Sequence, residues 1–373
     1  MGISGAGALA EGNGQKFKDQ RFRWVGTFDV IDGNGSAVAE IVDVTKNGKQ
    51  LIYTDADNEQ IGFVDIRRPR YPVGQGTMDL PGEPTSLAIL DPLVLVAVNT
   101  SESFIEPSGQ LLVIHRNKRE IVKSFELGGQ PDSVALSPDG KYAVVVIENE
   151  RDEDICVGGP NDGLPIENDD DEDLCKDSGG VVGGMPQDHL GNPTGAVKVV
   201  DLKGSVHKWS IRDIDLSAVA ASAFAGSDLE PEFVDINKYN YAVVSFQENN
   251  HFGVFDIVSG ETISEFSAGS ADLENVDTLE DDLIILDSDI TKRREPDAVS
   301  WIDGDSFASA NEGDYEDGNG EEGGSRGFTV FHKNGDIEYE SNESFEHLLV
   351  SAGHYNEGRS ENKGVEPEAA DAG

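Results

Sequence analysis

Gln130-Pro131-Asp132-Ser133-Val134-Ala135-Leu136-Ser137-Pro138-Asp139-Gly140-Lys141-Tyr142-Ala143-Val144-Val145-Val146-Ile147-Glu148-Asn149-Glu150 reads as two short strands and the turn between them. Ser133 to Leu136 is a short alternating run, with the large apolar side chains at every second position, Val134 and Leu136. Ser137-Pro138-Asp139-Gly140 puts Pro and Gly where a tight turn takes them. Tyr142 to Ile147 is an almost continuous β-branched run, long enough for a buried strand. Beyond a segment bounded by Cys156 and Cys175, Ala196 to Asp201 supplies a third strand, and Val206 to Ile211 is expected as the fourth.

The pattern recurs. A step of Pro beside an acidic residue leads into two apolar runs, and the second run ends in Asn and Glu. Glu230-Pro231-Glu232 runs to Gln247-Glu248-Asn249-Asn250, and Glu295-Pro296-Asp297 runs to Asn311-Glu312-Gly313-Asp314. Weaker copies run from Glu40 to Asp57-Asn58-Glu59 and from Glu83-Pro84-Thr85 to Asn99, and a sixth begins at Glu366-Pro367-Glu368. Four antiparallel strands in roughly 40–50 residues describe a β-propeller blade. The expectation is an all-β propeller of four-stranded blades, five of them complete out of a ring of seven. One domain is expected over residues 22–373, after a flexible segment 1–21, with an acidic insertion at 155–195 and a short helix near Asp213 to Phe224. Phe22 to Asp29 is expected as an outermost strand. It would close the ring on a last blade beyond Glu368, so the chain is expected to be a C-terminally truncated part of the whole.

Composition sets further bounds. Lys and Arg number 28 against 72 Asp and Glu, a formal net charge of -44 spread along the chain. Such a surface repels nucleic acid and anionic lipid, so neither is an expected partner. Adaptation to high salt, a surface rich in calcium sites, and ordinary acidity exaggerated by the insertion all account for the charge. No apolar stretch approaches the ~18 residues of a membrane span. Met1 to Ala6 lacks the charged and apolar regions of a secretory signal. The two cysteines lie in one loop, which suits a local disulfide and an oxidising compartment.

In a blade the first strand begins on the face where the second ends. The acidic step and the Glu-Asn tail therefore converge on one face near the central channel. Candidate metal ligands are Asp132, Glu148, Glu150, Glu230, Glu232, Glu248, Glu295, Asp297, Glu312, Asp314, Glu366 and Glu368. Crowded carboxylates repel and resist ionisation unless cations neutralise them. Oxygen-rich sites take Ca²⁺ or Mg²⁺, and a flexible rim suits Ca²⁺ better. Turn capping and solvation explain the same residues singly. The run Asn168 to Asp173 lacks EF-hand spacing and reads as a solvated loop. No Gly-x-Ser-x-Gly, His-Glu-x-x-His or phosphate-cradling loop occurs, so no catalytic residue is specified. Arg151, Arg359 and Lys363 stand beside acidic motifs, where they could hold a phosphate or pair with the neighbouring acids.

Several motifs in order resemble the choice-of-anchor I propeller family: Ile147 to Asp154 with Met185-Pro186-Gln187, Leu229 to Glu232, Gln247 to Asn250, Ala310 to Asp314, and Arg359-Ser360-x-Asn362-Lys363-Gly364-x-Glu366-Pro367-Glu368. The resemblance implies a secreted or surface-attached protein, similar to phytase-like esterase propellers, some of them assigned as alkaline phosphatases. The Cys-bounded insertion departs from the shorter bacterial form of that loop. Three functions follow as expectations. One is an extracellular calcium-binding propeller that acts as a binding or scaffold module. The second is a metal-dependent phosphoesterase using the acidic rim. The third is an acidic surface or biomineral protein. Expected partners are divalent cations and a phosphorylated small molecule or a surface glycan or protein.

Overall fold

The computed structural model describes residues 24–30, 36–104, 106–150, 155–166, 169–182, 194–313 and 323–372. Five four-stranded antiparallel sheets follow one another along the chain, each in simple up-and-down order. Their first strands are Val42–Val44, Glu83–Leu90, Pro131–Leu136, Pro231–Ile236 and Val299–Trp301, and their last strands end at Asp79, Glu126, Asp213, Ser267 and Glu340. These are the blades of a β-propeller.

The apolar run of Tyr142–Ile147 is buried on both faces, as an interior blade strand must be. Ala143, Val145 and Ile147 pack toward the preceding blade against Leu95, Leu111 and Phe125. Tyr142, Val144 and Val146 pack toward the following blade against Val234, Val244 and Phe246. Period-two alternation thus serves two interfaces at once. Equivalent apolar clusters join the first blade to the second and the fourth to the fifth.

Inner strands are also linked to each other. The Ile89 N–H donates to Asp43 Oδ2 (2.8 Å), the Val134 N–H to Ser86 Oγ (3.2 Å) and the Trp301 N–H to Asp235 Oδ2 (2.8 Å). The segment carrying the sixth copy lies against the fifth blade, where the Ala372 N–H donates to Ser300 Oγ (3.0 Å).

Two expectations about strands are corrected. The fourth strand of the third blade is Ser210–Asp213, because Val206–Lys208 turns as a 3-10 helix first. Residues 24–29 form no strand. Phe28 instead rests beside Tyr53, with ring centroids 6.3 Å apart, and Trp24 stays exposed. The helix near residue 213 is Ser217–Ser222. Cys156 and Cys175 are disulfide-bonded, and beside them lie a small sheet of Cys156–Val157 with Val181–Val182 and the helix Asp169–Asp177. The acidic run from Asn168 enters that helix, Asn168 itself lying outside the described residues.

Two elements have no counterpart in the repeat. A hairpin of Ser270–Val276 with Ser288–Arg293 leaves the fourth blade, and a helix, Ser344–Ala352, follows the fifth. They meet where the Asp277 N–H, just past the hairpin's first strand, donates to Glu346 of the helix (2.7 Å), and Glu346 pairs there with Arg326 of the fifth blade, both fully buried, at 2.8 Å. No helix among the described residues is long and apolar enough to cross a membrane.

Candidate functional site

The repeated Asn is a staple. Asn149 and Asn250 take left-handed backbone (φ 62° and 47°), which Asn tolerates. Asn149 Oδ1 accepts the Gln130 N–H and Asn249 Oδ1 the Glu230 N–H, both at 2.9 Å, and Asn250 Oδ1 accepts the Glu295 N–H at 3.0 Å. Each bond ties the end of a second strand to the entry of a first. Asn249, buried, also donates to the Phe224 and Asp228 carbonyls at 2.9 Å. Asn249→Ala strands these groups and is expected to cost about 2 kcal/mol of unfolding free energy by denaturant titration.

With the entries stapled, the acidic positions fall around one cavity of about 340 Å³. Its lining includes a residue from the start of every inner strand: Glu40, Glu83 with Thr85, Asp132, Glu232 and Asp297. Second-strand ends add Glu148, Glu150, Gln247 and Glu312. The Gln130 amide donates to Glu150 Oε2 (3.0 Å), and the Gln247 amide approaches Glu312 Oε2 (3.5 Å). Thr85 Oγ1 is a buried hydroxyl with no hydrogen-bond partner.

The crowding has an electrostatic cost. Asp132 opens partly onto the cavity but is shielded from bulk water, and its carboxyl is pushed up to about 7. Burial is the main cause, followed by the charges of Glu40 and Glu150. Asp297 is pushed up to about 8 by burial, then by Glu312, Asp132 and Glu368. Glu83 is raised by burial, then by Glu40 and Glu150. The lining is a hard-oxygen donor set of the kind Ca²⁺ and Mg²⁺ take. It forms an open rim: no three His, Cys, Asp or Glu among the described residues converge as a ligand shell.

The remaining candidates are placed elsewhere. Glu230 and Glu248 are buried outside the lining, and Glu295 is buried with its carboxylate 2.7 Å from Arg293. Glu366 is held by Arg359, whose Nε donates to Oε2 at 3.0 Å, with Lys363 Nζ 4.0 Å away. Two of the three cations considered for phosphate, Arg359 and Lys363, therefore pair with a neighbouring acid. Glu368 reaches the rim only through its charge on Asp297. Asp314 and Arg151 lie outside the described residues, as do Met185-Pro186-Gln187. Glu40, Glu83, Thr85, Gln130 and Gln247 were missed as site residues. The signal for the first three was present, since each stands in the acidic step of its own copy.

Ser222, His251 and Glu265 also meet, on the fourth blade. His251 Nε2 lies 2.7 Å from Glu265 and 3.5 Å from Ser222 Oγ. A Ser-His-acid triad uses the two ring nitrogens for different partners. Here both partners share Nε2, and Nδ1 is buried without one, so the arrangement is not a triad.

A profile of the choice-of-anchor I domain matches residues 40–323. Comparison with curated proteins finds no match. Among solved structures, virginiamycin B lyase of Staphylococcus aureus is similar at 11% identity and a TM-score of 0.42, covering 80% of this chain and 68% of that one. The Cps50 (Swd1) β-propeller domain of Myceliophteria thermophila is similar at 8% identity and a TM-score of 0.41, covering 83% and 88%. A chain of the mitotic checkpoint complex is similar at 9% identity and a TM-score of 0.47, covering 83% and 66%.

Proposed function

We propose, given that this chain belongs to the choice-of-anchor I domain family, that it is an extracellular or cell-surface binding module whose acidic rim takes up divalent cations, Ca²⁺ in preference to Mg²⁺. One observation carries the reading: the inner strands of all five blades deliver a carboxylate to the same cavity. The unpartnered Thr85 hydroxyl adds a neutral oxygen to that set. A bound cation would supply the positive charge that lets Asp132 and Asp297 ionise at neutral pH. Because the rim is open, part of the ion's shell would come from water, and Ca²⁺, with its loose geometry, suits that arrangement better than octahedral Mg²⁺.

What the protein's own residues do is hold that rim in place. The Asn staples fix the strand entries, and the inter-blade hydrogen bonds keep the inner strands in register. The phosphoesterase reading draws no support from Arg359 and Lys363, which pair with Glu366.

The test is a thermal melt of chelator-treated protein at pH 7.5, with the NaCl controls matched in ionic strength. Saturating CaCl2 is expected to raise Tm by about 5 °C or more, since binding at 100-fold over Kd is worth about 2.7 kcal/mol. MgCl2 should do less. A melt that responds to CaCl2 no more than to matched NaCl would sink the proposal.

A further inference from the structure

The opposite face of the first two blades is electrically reversed. In each blade the turns after the first and third strands lie away from the rim. Of the four such turns in these two blades, three, residues 45–49, 66–72 and 116–119, carry two, three and three Lys or Arg and no Asp or Glu, and the fourth, Asp91-Pro92, carries one Asp. The chain as a whole holds 72 acidic residues against 28 basic ones, so this is a local inversion of its charge.

The three turns surround a cavity of about 430 Å³ between the blades. Lys49, Arg67, Arg116 and Arg119 line it; Arg67 is paired with Asp65 and Arg116 with Asp91, so Lys49 and Arg119 carry its unbalanced charge. Thr45, Asn47, Gln50, Gln75 and Asn117 supply neutral hydrogen-bonding groups. The guanidinium of Arg119 is stacked 4.6 Å over the Phe63 ring and donates to the Thr77 carbonyl at 3.1 Å. Gly76 (φ 84°) makes room for it: a Cβ there would stand 3.2 Å from Nη1. Arg116 is fixed by Asp91 (2.8 Å) and Gln50 (2.9 Å). These two side chains are therefore preorganised, while Lys49 is exposed at the mouth. A second cavity of about 430 Å³ shares Asp65 and Arg67 with the first and continues past Arg68 to Tyr71, whose ring is 75% exposed.

We propose that this groove binds an acidic oligosaccharide, a segment of sulfated or uronic-acid glycan. Planar guanidinium forks pair with sulfate or carboxylate, and the amide and hydroxyl side chains match sugar hydroxyls. The exposed Tyr71 offers an apolar ring face to a pyranose at the far end. A neutral glycan has no use for the cations. An acidic partner would be repelled by the rest of the molecule, which directs it to this one face.

The experiment is titration calorimetry of the full chain at low salt. The probes are a heparin-derived hexasaccharide and hexagalacturonate, with maltohexaose, inorganic sulfate and a polyglutamate peptide as comparisons. Saturable binding of either acidic sugar is expected, with maltohexaose silent. Lys49→Ala combined with Arg67→Ala should weaken it about tenfold or more, since two charge-assisted contacts are lost. Both side chains are exposed, and an unchanged melt confirms that this variant folds. Tyr71→Ala should weaken the sugar while leaving sulfate unaffected. The idea is overturned if the acidic sugars bind no better than maltohexaose, or if the double variant binds as well as the parent. Equal binding of polyglutamate overturns it too, because the surface would then read charge alone.

Discussion

Arg326→Leu is expected to lower the unfolding free energy by about 3–5 kcal/mol, the usual consequence of leaving one member of a buried ion pair uncompensated. Arg326 and Glu346 are fully buried and 2.8 Å apart. Arg326 also donates to the Asp277 carbonyl (2.7 Å) and the Ser360 carbonyl (2.6 Å), while Glu346 Oε1 accepts the Asp277 N–H at 2.7 Å. Four parts of the chain meet there: the entry to the fifth blade's third strand, the end of the hairpin's first strand, the helix 344–352 and the segment near Ser360. Removing the guanidinium strands a carboxylate and two carbonyls inside the protein. The double variant Arg326→Met with Glu346→Leu should recover much of the loss, because two apolar side chains can fill the volume without an unpaired charge. Denaturant unfolding of the three proteins decides the matter. A single variant within about 1 kcal/mol of the parent would show that water compensates the site. Gly364→Ala should also destabilise, since its φ is 60° and its Cβ would stand 2.6 Å from the Arg326 guanidinium.

Neutralising the rim should act in the opposite direction. Asp132→Asn with Asp297→Asn is expected to raise the Tm of chelator-treated protein at pH 8 and to abolish its response to CaCl2. The sign follows from linkage. Both carboxyls have folded values above the ordinary carboxylate range, about 7 and about 8, so between pH 4 and 8 the native state holds protons that the unfolded chain has released. Stability of the metal-free protein should therefore fall as pH rises through that window. Below about pH 4 this contribution disappears. Carboxylates such as Asp65 and Asp139, held low mainly by hydrogen bonds from Arg67 and Lys141, are then protonated at a cost. A stability gain of about 2 kcal/mol or more for the double variant at pH 8 is expected from shifts of this size, with the difference vanishing near pH 4. Melts at pH 4 and pH 8, with and without CaCl2, measure it. If the double variant melts below the parent at pH 8 without metal, the rim carboxyls are stabilising as they stand and the electrostatic account fails.

The blades were legible because their signal is local. The second strands Leu93–Asn99, Tyr142–Ile147 and Tyr241–Phe246 are rich in Val, and each turn carries its own Gly, Pro, Asn or Asp, so strand order emerged from short-range chemistry. The acidic face was legible for a related reason: repeat copies put equivalent residues at equivalent heights on successive blades. Glu40 and Glu83 could have been included on that basis. Glu230 is buried outside the lining, and so is Glu248, because the equivalence in space differs by one residue from the match in sequence: Ile147 pairs with Pro131 and Phe246 with Pro231, so Gln247 stands where Glu148 does. In the fourth blade Pro231 pairs with Phe246 and the register shifts before Val234. The residue that reaches the cavity there is accordingly Gln247.

The sequence by itself determined the propeller architecture, the disulfide and the presence of a shared acidic face, since periodicity, turn chemistry and repeat position are properties of neighbours along the chain. Tertiary structure alone decided which carboxylates line the cavity and which are buried behind it. It also revealed the Arg326–Glu346 clasp between the fifth blade and the helix outside the repeat. The cationic groove opposite the rim belongs to the same class. Its residues come from three turns of two blades, and no local pattern states that they will meet. Burial, pairing and charge density depend on distance through space, which is settled only when the blades pack.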